Sequence, residues 1–297
     1  MVLYVLATLG VLAIALVVAA VVKMNKAAPL IKIDETASID ESMTRNYGKY
    51  SPEKKGWVYV DDSNEPYLVR VVQQARIEAV GASDELYFVT SGASLGGGGR
   101  NFFGVFQIRS DGKGGDGLVE ISDPYRYGSS VPVTPEKVRF EALSENTWGW
   151  VVKVQDGVNP KDERVTVSNV MLAPHGDNIA LLAHFKASAD AEAGDCLQAN
   201  IDHASWIKQV AYYEGLPEGA PAEEVAAGEA LSEHEPLRCE HARWTYGTAA
   251  VVGAQPGPLT VTAKGTQYGA PLEARTWKIM FDNKAFVYTV PPELNVD

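Results

Sequence analysis

The chain has 297 residues, 46% of them hydrophobic, and a formal net charge of −12. It is long enough to bury a sizeable core, as one large domain or two small ones. So acidic a surface repels phosphate backbones, which excludes nucleic acid as a partner and favours basic proteins.

Val2 to Val22 is an unbroken run of 21 uncharged, mostly apolar residues. At roughly 1.5 Å per helical residue it spans about 30 Å, the thickness of a bilayer's hydrocarbon core. No Lys or Arg precedes the run, it is longer than the apolar stretch of a cleaved signal, and no Cys follows it to carry lipid. Residues 1–26 are therefore expected to form a single transmembrane anchor, in contact with membrane lipid and with other transmembrane helices. Ala15 and Ala19 form a small-xxx-small pair for close helix approach. Lys23, Lys26 and Lys32 follow the span and would hold the large domain in the cytoplasm if the positive-inside rule governed so long a domain. Two cysteines in a domain of this size instead fit a disulfide and an oxidising compartment, so the expected location is periplasmic or otherwise extracytoplasmic.

Residues 27–55 hold few apolar runs and several polar clusters, and read as a stalk or extended arm. From Gly56 short β-type runs recur between turn signals: Trp57 to Val60, Leu68 to Val72, Leu86 to Val89, Phe102 to Ile108, Leu118 to Ile121, Val138 to Glu141, Trp148 to Val154, Val165 to Leu172 and Ile179 to Phe185. The stretch from Val71 to Val80 also allows a short helix, and Gly104 marks a bulge or a close approach. Strands at this spacing, with Gly, Pro and Asp turns, predict a mainly β chain whose residues 56–297 form an antiparallel sandwich or barrel-like domain.

Residues 187–235 break the pattern with a helical insertion rich in Ala and Glu. Trp206, Val210 and Tyr213 share one helical face, and a second helix is expected from Pro221 to Leu231. Between Ala191 and His241 eleven Asp or Glu residues face only Lys208 and Arg238, a net −9. Cys196 and Cys239 bracket the segment and are the expected disulfide. Glu214, Glu218, Glu223, Glu224, Glu229, Glu233 and Glu235 are the candidate partner-binding residues, because a docking surface for a basic protein needs uncompensated negative charge. Strand character resumes at Trp244 to Val252, Leu259 to Thr262, Arg275 to Phe281 and Ala285 to Val290.

Motifs for chemistry are weak. Gly92-Ala93-Ser94-Leu95-Gly96 satisfies G-x-S-x-G after a strand, but runs into further glycines where a nucleophile elbow needs a helix. Asp111 to Gly117 resembles a calcium loop, yet Lys113 occupies a ligand position and a glycine-rich hairpin fits better. Cys196, His203, Cys239 and His241 lack the close spacing of a zinc site, and the absence of C-x-x-C-H excludes covalent c-type haem. Trp148 and Trp150 fall on one strand face, which suits either a sugar platform or core.

No cofactor, metal or catalytic residue is expected. The function these features favour is a non-enzymatic, membrane-anchored accessory subunit of a larger complex, for instance a respiratory or photosynthetic one. It would dock a basic soluble or peripheral subunit. Two alternatives are an anchored module binding glycan or a small ligand at Trp148 and Trp150, and an anchored hydrolase using Ser94.

Overall fold

The computed structural model describes residues 30–78, 83–96, 101–112, 117–156, 164–192, 194–236, 238–267 and 270–296. The expected anchor, with Ala15 and Ala19, lies outside them. Among the described residues no helix is long and apolar enough to cross a membrane.

The fold is mainly β, with every strand pairing antiparallel. Helix α1 (Glu35–Tyr47) leads into a six-stranded meander of β1 (Tyr50–Ser51), β2 (Gly56–Val60), β3 (Pro66–Ile77), β4 (Glu85–Ser94), β5 (Asn101–Ser110) and β6 (Leu118–Ser129). A second sheet follows in chain order: β7 (Val138–Ser144), β8 (Thr147–Gln155), β9 (Val165–His175) and β10 (Asn178–Ala191). Helices α2 (Cys196–Glu214) and α3 (Ala222–Ser232) then intervene. The sheet resumes with β11 (Glu240–Thr248), β12 (Leu259–Gln267) and β13 (Ala270–Pro271), and β14 (Arg275–Ile279) also pairs with β12. A final ribbon joins β15 (Phe281–Asp282) to β16 (Val287–Tyr288).

Alternation sorts the side chains into three cores, because successive residues of a strand point to opposite faces. Tyr87, Val89, Phe103 and Val105 of the first sheet meet Trp150, Val152, Val170 and Leu172 of the second, which makes the sandwich. The intervening residues of the first sheet, Leu86, Phe88, Phe102 and Phe106, face α1. Those of the second, Val151, Met171 and Ala173, face the C-terminal strands and Leu294.

The first sheet is also curled. Tyr59 on β2 and Tyr125 on β6 stack with ring centroids 4.8 Å apart, although three strands separate them in the sheet order. In a flat sheet those four inter-strand steps would hold the backbones about 19 Å apart. The sheet is therefore a half-barrel whose two sides meet over its concave face. Glycines make the curl possible where the trough is fullest. A Cβ at Gly92 would run into the ring of Phe102, and one at Gly104 would meet the Tyr47 hydroxyl and, at 2.8 Å, the Pro124 carbonyl. The β5–β6 register also shifts between Phe103 and Val105, where Gly104 stands opposite Pro124 and Tyr125, so Gly104 is the close approach its position suggested and the bulge it faces lies on β6.

The arm reading of residues 27–55 is corrected over 35–47. Asp34 caps α1 by accepting from the Ala37 N–H at 3.1 Å, and Ile39, Met43 and Tyr47 recur every fourth residue to fill the trough. Glu120 of β6 then fastens the helix from outside, accepting from the Ser42 hydroxyl and the Arg45 guanidinium at 2.5 Å each and from the Asn46 amide at 3.0 Å. The chain before α1 is held as well, since the Ser83 hydroxyl accepts from the Ile31 N–H and the Asp84 carboxylate from the Ile33 N–H. From Val71 the chain is strand to Ile77, not helix. The insertion starts later than expected, because β10 runs on to Ala191.

Candidate functional site

Two features stand apart from the packed layers: a cavity at the open end of the half-barrel, and the α2–α3 hairpin.

The cavity has a volume of about 570 Å³ and is lined by four tyrosines (Tyr59, Tyr67, Tyr125, Tyr127), three carboxylates (Asp61, Asp62, Glu65) and the hydroxyls of Ser63 and Ser94. The curl brings these residues together. β2 and β3 supply Tyr59 and Tyr67, β6 supplies Tyr125 and Tyr127, and the β2–β3 turn supplies the acids. The turn is held by Asp61, whose Oδ1 accepts from the N–H groups of Ser63 at 2.9 Å and Glu65 at 2.8 Å. Glu65 is fixed in turn, accepting from the Ser94 hydroxyl at 2.5 Å and the Gly96 N–H at 3.2 Å. Phe102 forms the floor, in ring contact with all four tyrosines.

Desolvation by the packed rings pushes the phenols of Tyr125 and Tyr127 up to about 12, and the carboxylates of Asp61 and Asp62 add to the rise at Tyr127. Tyr59 and Tyr67 rise for the same reasons, burial first and the neighbouring acids second. At neutral pH the lining is thus four neutral phenols in a negative field.

The hairpin differs in kind. Cys196 and Cys239 are bonded, with Cα atoms 5.3 Å apart. The bond is possible because the excursion leaves and re-enters the sheet at adjacent points: Ala191 of β10 pairs with Glu240 of β11. Behind it lies a small polar base. Arg238 donates to Nε2 of His203 at 2.7 Å and pairs with Glu235, while the fully buried Glu240 pairs with Arg164 at 3.0 Å. Burial, reinforced by the Arg238 charge, lowers the His203 pKa, so the imidazole is neutral at pH 7. Beyond this base the helices bury almost nothing. His203 is the one buried side chain of α2, and α3 has none. Trp206 holds them together by donating from its indole N–H to the Leu231 carbonyl at 2.8 Å. Leu197 is 74% exposed and Tyr212 63%, with Ile201, Ile207 and Val225 also in solvent.

All seven candidate glutamates of the hairpin are exposed, but Glu235 is committed to Arg238 at the base. Trp150 is 1% exposed and points into the sandwich, while Trp148 is half-buried and stacks on Phe140 at 5.2 Å, so the two do not form a paired platform. Ser94 sits on a strand–turn–strand connection whose strands pair at Gly92 and Phe102, its hydroxyl is bonded to Glu65, and the cavity lining contains no histidine. The disulfide consumes both thiols of the zinc candidates, and His241 instead faces Asp190 at 3.5 Å. Residues 113–116 of the supposed calcium loop lie outside the described residues. Its ends join β5 to β6, with the Asp111 N–H donating to the Gly117 carbonyl at 2.9 Å.

No protein family, characterised protein or solved structure that the chain was compared with matches it. Sequence reasoning found the hairpin and missed the cavity. One signal for the cavity was present: Tyr125 and Tyr127 are two apart on a strand, hence on one face, in a chain with 13 tyrosines.

Proposed function

We propose that this protein is a non-enzymatic, membrane-anchored accessory subunit that holds a basic partner protein on its α2–α3 hairpin, on the extracytoplasmic side of the membrane. The anchor in this reading is the apolar run from Val2 to Val22, and its neighbours are lipid and the transmembrane helices of the complex.

What supports the reading is the hairpin's surface. Five large apolar side chains, Leu197, Ile201, Ile207, Tyr212 and Val225, are exposed on the hairpin, as are Glu214, Glu218, Glu223, Glu224, Glu229 and Glu233. Exposed large apolar groups on an element that also carries unpaired charge are the make-up of a docking surface. Two short helices that bury so little gain little stability from their own packing. A partner covering them would supply the missing burial, while the glutamates would steer a basic surface towards it and suppress acidic competitors. The disulfide at the base limits what the hairpin loses in freedom when it is covered.

The test is extraction of native membranes in mild detergent, followed by native electrophoresis and mass spectrometry. Co-migration with a large, defined assembly, lost when Glu223→Gln, Glu224→Gln and Glu229→Gln are combined, is the expected result. Migration alone, near the 32.0 kDa of the chain plus detergent, would overturn it.

A further inference from the structure

We infer that the open end of the half-barrel is a binding site for an organic ammonium ion. The inference is independent of the docking reading, since cavity and hairpin belong to different sheets.

Charge is the first reason. Among the described residues Asp61, Asp62 and Glu65 have no lysine, arginine or histidine partner, although all three border one cavity. Glu120, Asp84 and Asp190 show the alternative, each paired with an arginine: Arg45, Arg76 and Arg243. Asp61 and Glu65 are held by turn and hydroxyl donors, and Asp62 is exposed with no side-chain hydrogen bond among the described residues. Three acids kept close together without a cation hold a negative potential that a cationic ligand would relieve.

The walls say which kind of cation. A metal ion takes converging oxygen, nitrogen or sulfur ligands, and no group of three such residues suited to one occurs among the described residues. Tyrosine rings add nothing to a metal site. They do attract organic cations, because the face of an aromatic ring carries the negative end of its quadrupole. The rings here are set at several inclinations: Tyr59 and Tyr125 at 29°, Tyr67 and Tyr127 at 69°. That variety suits a rounded ammonium head better than a planar guanidinium, which stacks in parallel. The Ser94, Tyr67 and Tyr125 hydroxyls already donate, to Glu65, Asp61 and the Asn46 carbonyl, and keep lone pairs to accept from the body of a ligand. A volume of about 570 Å³ lies in the range of small-molecule pockets and leaves room for such a body.

The test is calorimetric titration of the detergent-solubilised full chain. The probes are choline, its neutral isostere 3,3-dimethyl-1-butanol, and n-butylammonium. Asp62→Asn and Tyr127→Ala are the variants, both at exposed positions, with thermal unfolding measured alongside. Expected are millimolar or tighter binding of at least one charged probe, at least a tenfold preference over the neutral isostere, and weakening of about tenfold in each variant without a change in unfolding. A further arm compares n-butylammonium with Nα-acetyl-lysine methylamide. Tighter binding of the lysine derivative assigns the natural head group to a protein side chain, and the reverse assigns it to a free amine. Silence of both charged probes at millimolar concentration, equal binding of the isostere, or indifference to both variants would overturn the inference.

Discussion

Helix α1 and the α2–α3 hairpin are both carried by a sheet, and they differ in what they bury. Of the 13 residues of α1, Ile39, Ser42, Met43 and Tyr47 are buried, and Glu120 reaches across from β6 to bond it. The hairpin's helices have 19 and 11 residues and bury only His203, with a covalent bond at the base in place of a packed face. Glutamate has opposite uses in the two places. At α1 a single carboxylate is saturated by donors; on the hairpin six are left to solvent. The first arrangement spends its interactions on the fold, and the second keeps them available for another molecule.

This contrast is open to direct attack. Tyr47→Ala should destabilise the protein by about 3–5 kcal/mol in denaturant unfolding, since it empties a fully buried aromatic site and strands the Thr90 hydroxyl and the Pro124 carbonyl. Tyr212→Ala on the hairpin should stay within about 0.5 kcal/mol of the parent. A comparable loss in both would mean that the hairpin is packed after all. Next in size is the double change Cys196→Ser and Cys239→Ser. With the cysteines 43 positions apart in sequence, chain entropy sets the loss at about 4 kcal/mol or less. Amide exchange should quicken in α2 and α3 while α1 keeps its protection; equal quickening in both would show that the hairpin supports the sheets.

Glu120→Gln should cost about 1–3 kcal/mol by weakening charge-assisted bonds to α1. Burial alone would raise the Glu120 carboxyl, but the Ser42, Arg45 and Asn46 donors outweigh it and hold the group below the usual glutamate range. A depressed folded-state pKa stabilises fully above the unfolded value, about 4.3, and that contribution is lost as the pH falls through the lower folded value. Acidification below about pH 4 should therefore loosen α1 first, and the Gln variant should flatten that dependence in exchange measurements. The smallest effect on stability belongs to Glu223→Gln with Glu224→Gln, which should leave unfolding unchanged and shift only the salt at which the partner is released. A change in unfolding without a change in release would reverse the roles given to the two helices.

The strands were legible because their alternation is local: Leu86, Phe88 and Tyr87, Val89 announce two buried faces within a few residues. The hairpin was legible for the same reason, through Trp206 and its neighbours on one face. Helix α1 was not. Its three large buried residues stand among ten others, mostly polar, so their spacing is a faint signal until the trough they fill is known. The cavity was hidden more deeply. Tyr59, Tyr67, Tyr125 and Tyr127 come from three strands, and what unites them is the curl, a property of the whole sheet. Glu65 likewise reads as a turn acid until the fold brings Ser94, 29 positions later, against it.

The register of β10 against β11 has a consequence for how such a chain can change over time. Because Ala191 and Glu240 are already partners in the ladder, everything between them hangs from two neighbouring points of the sheet. The hairpin is a cartridge. It can be lengthened, recharged or exchanged for a tight turn while the strands on either side keep their neighbours. The same β scaffold can thus be fitted to a different partner by rewriting one interval of the chain.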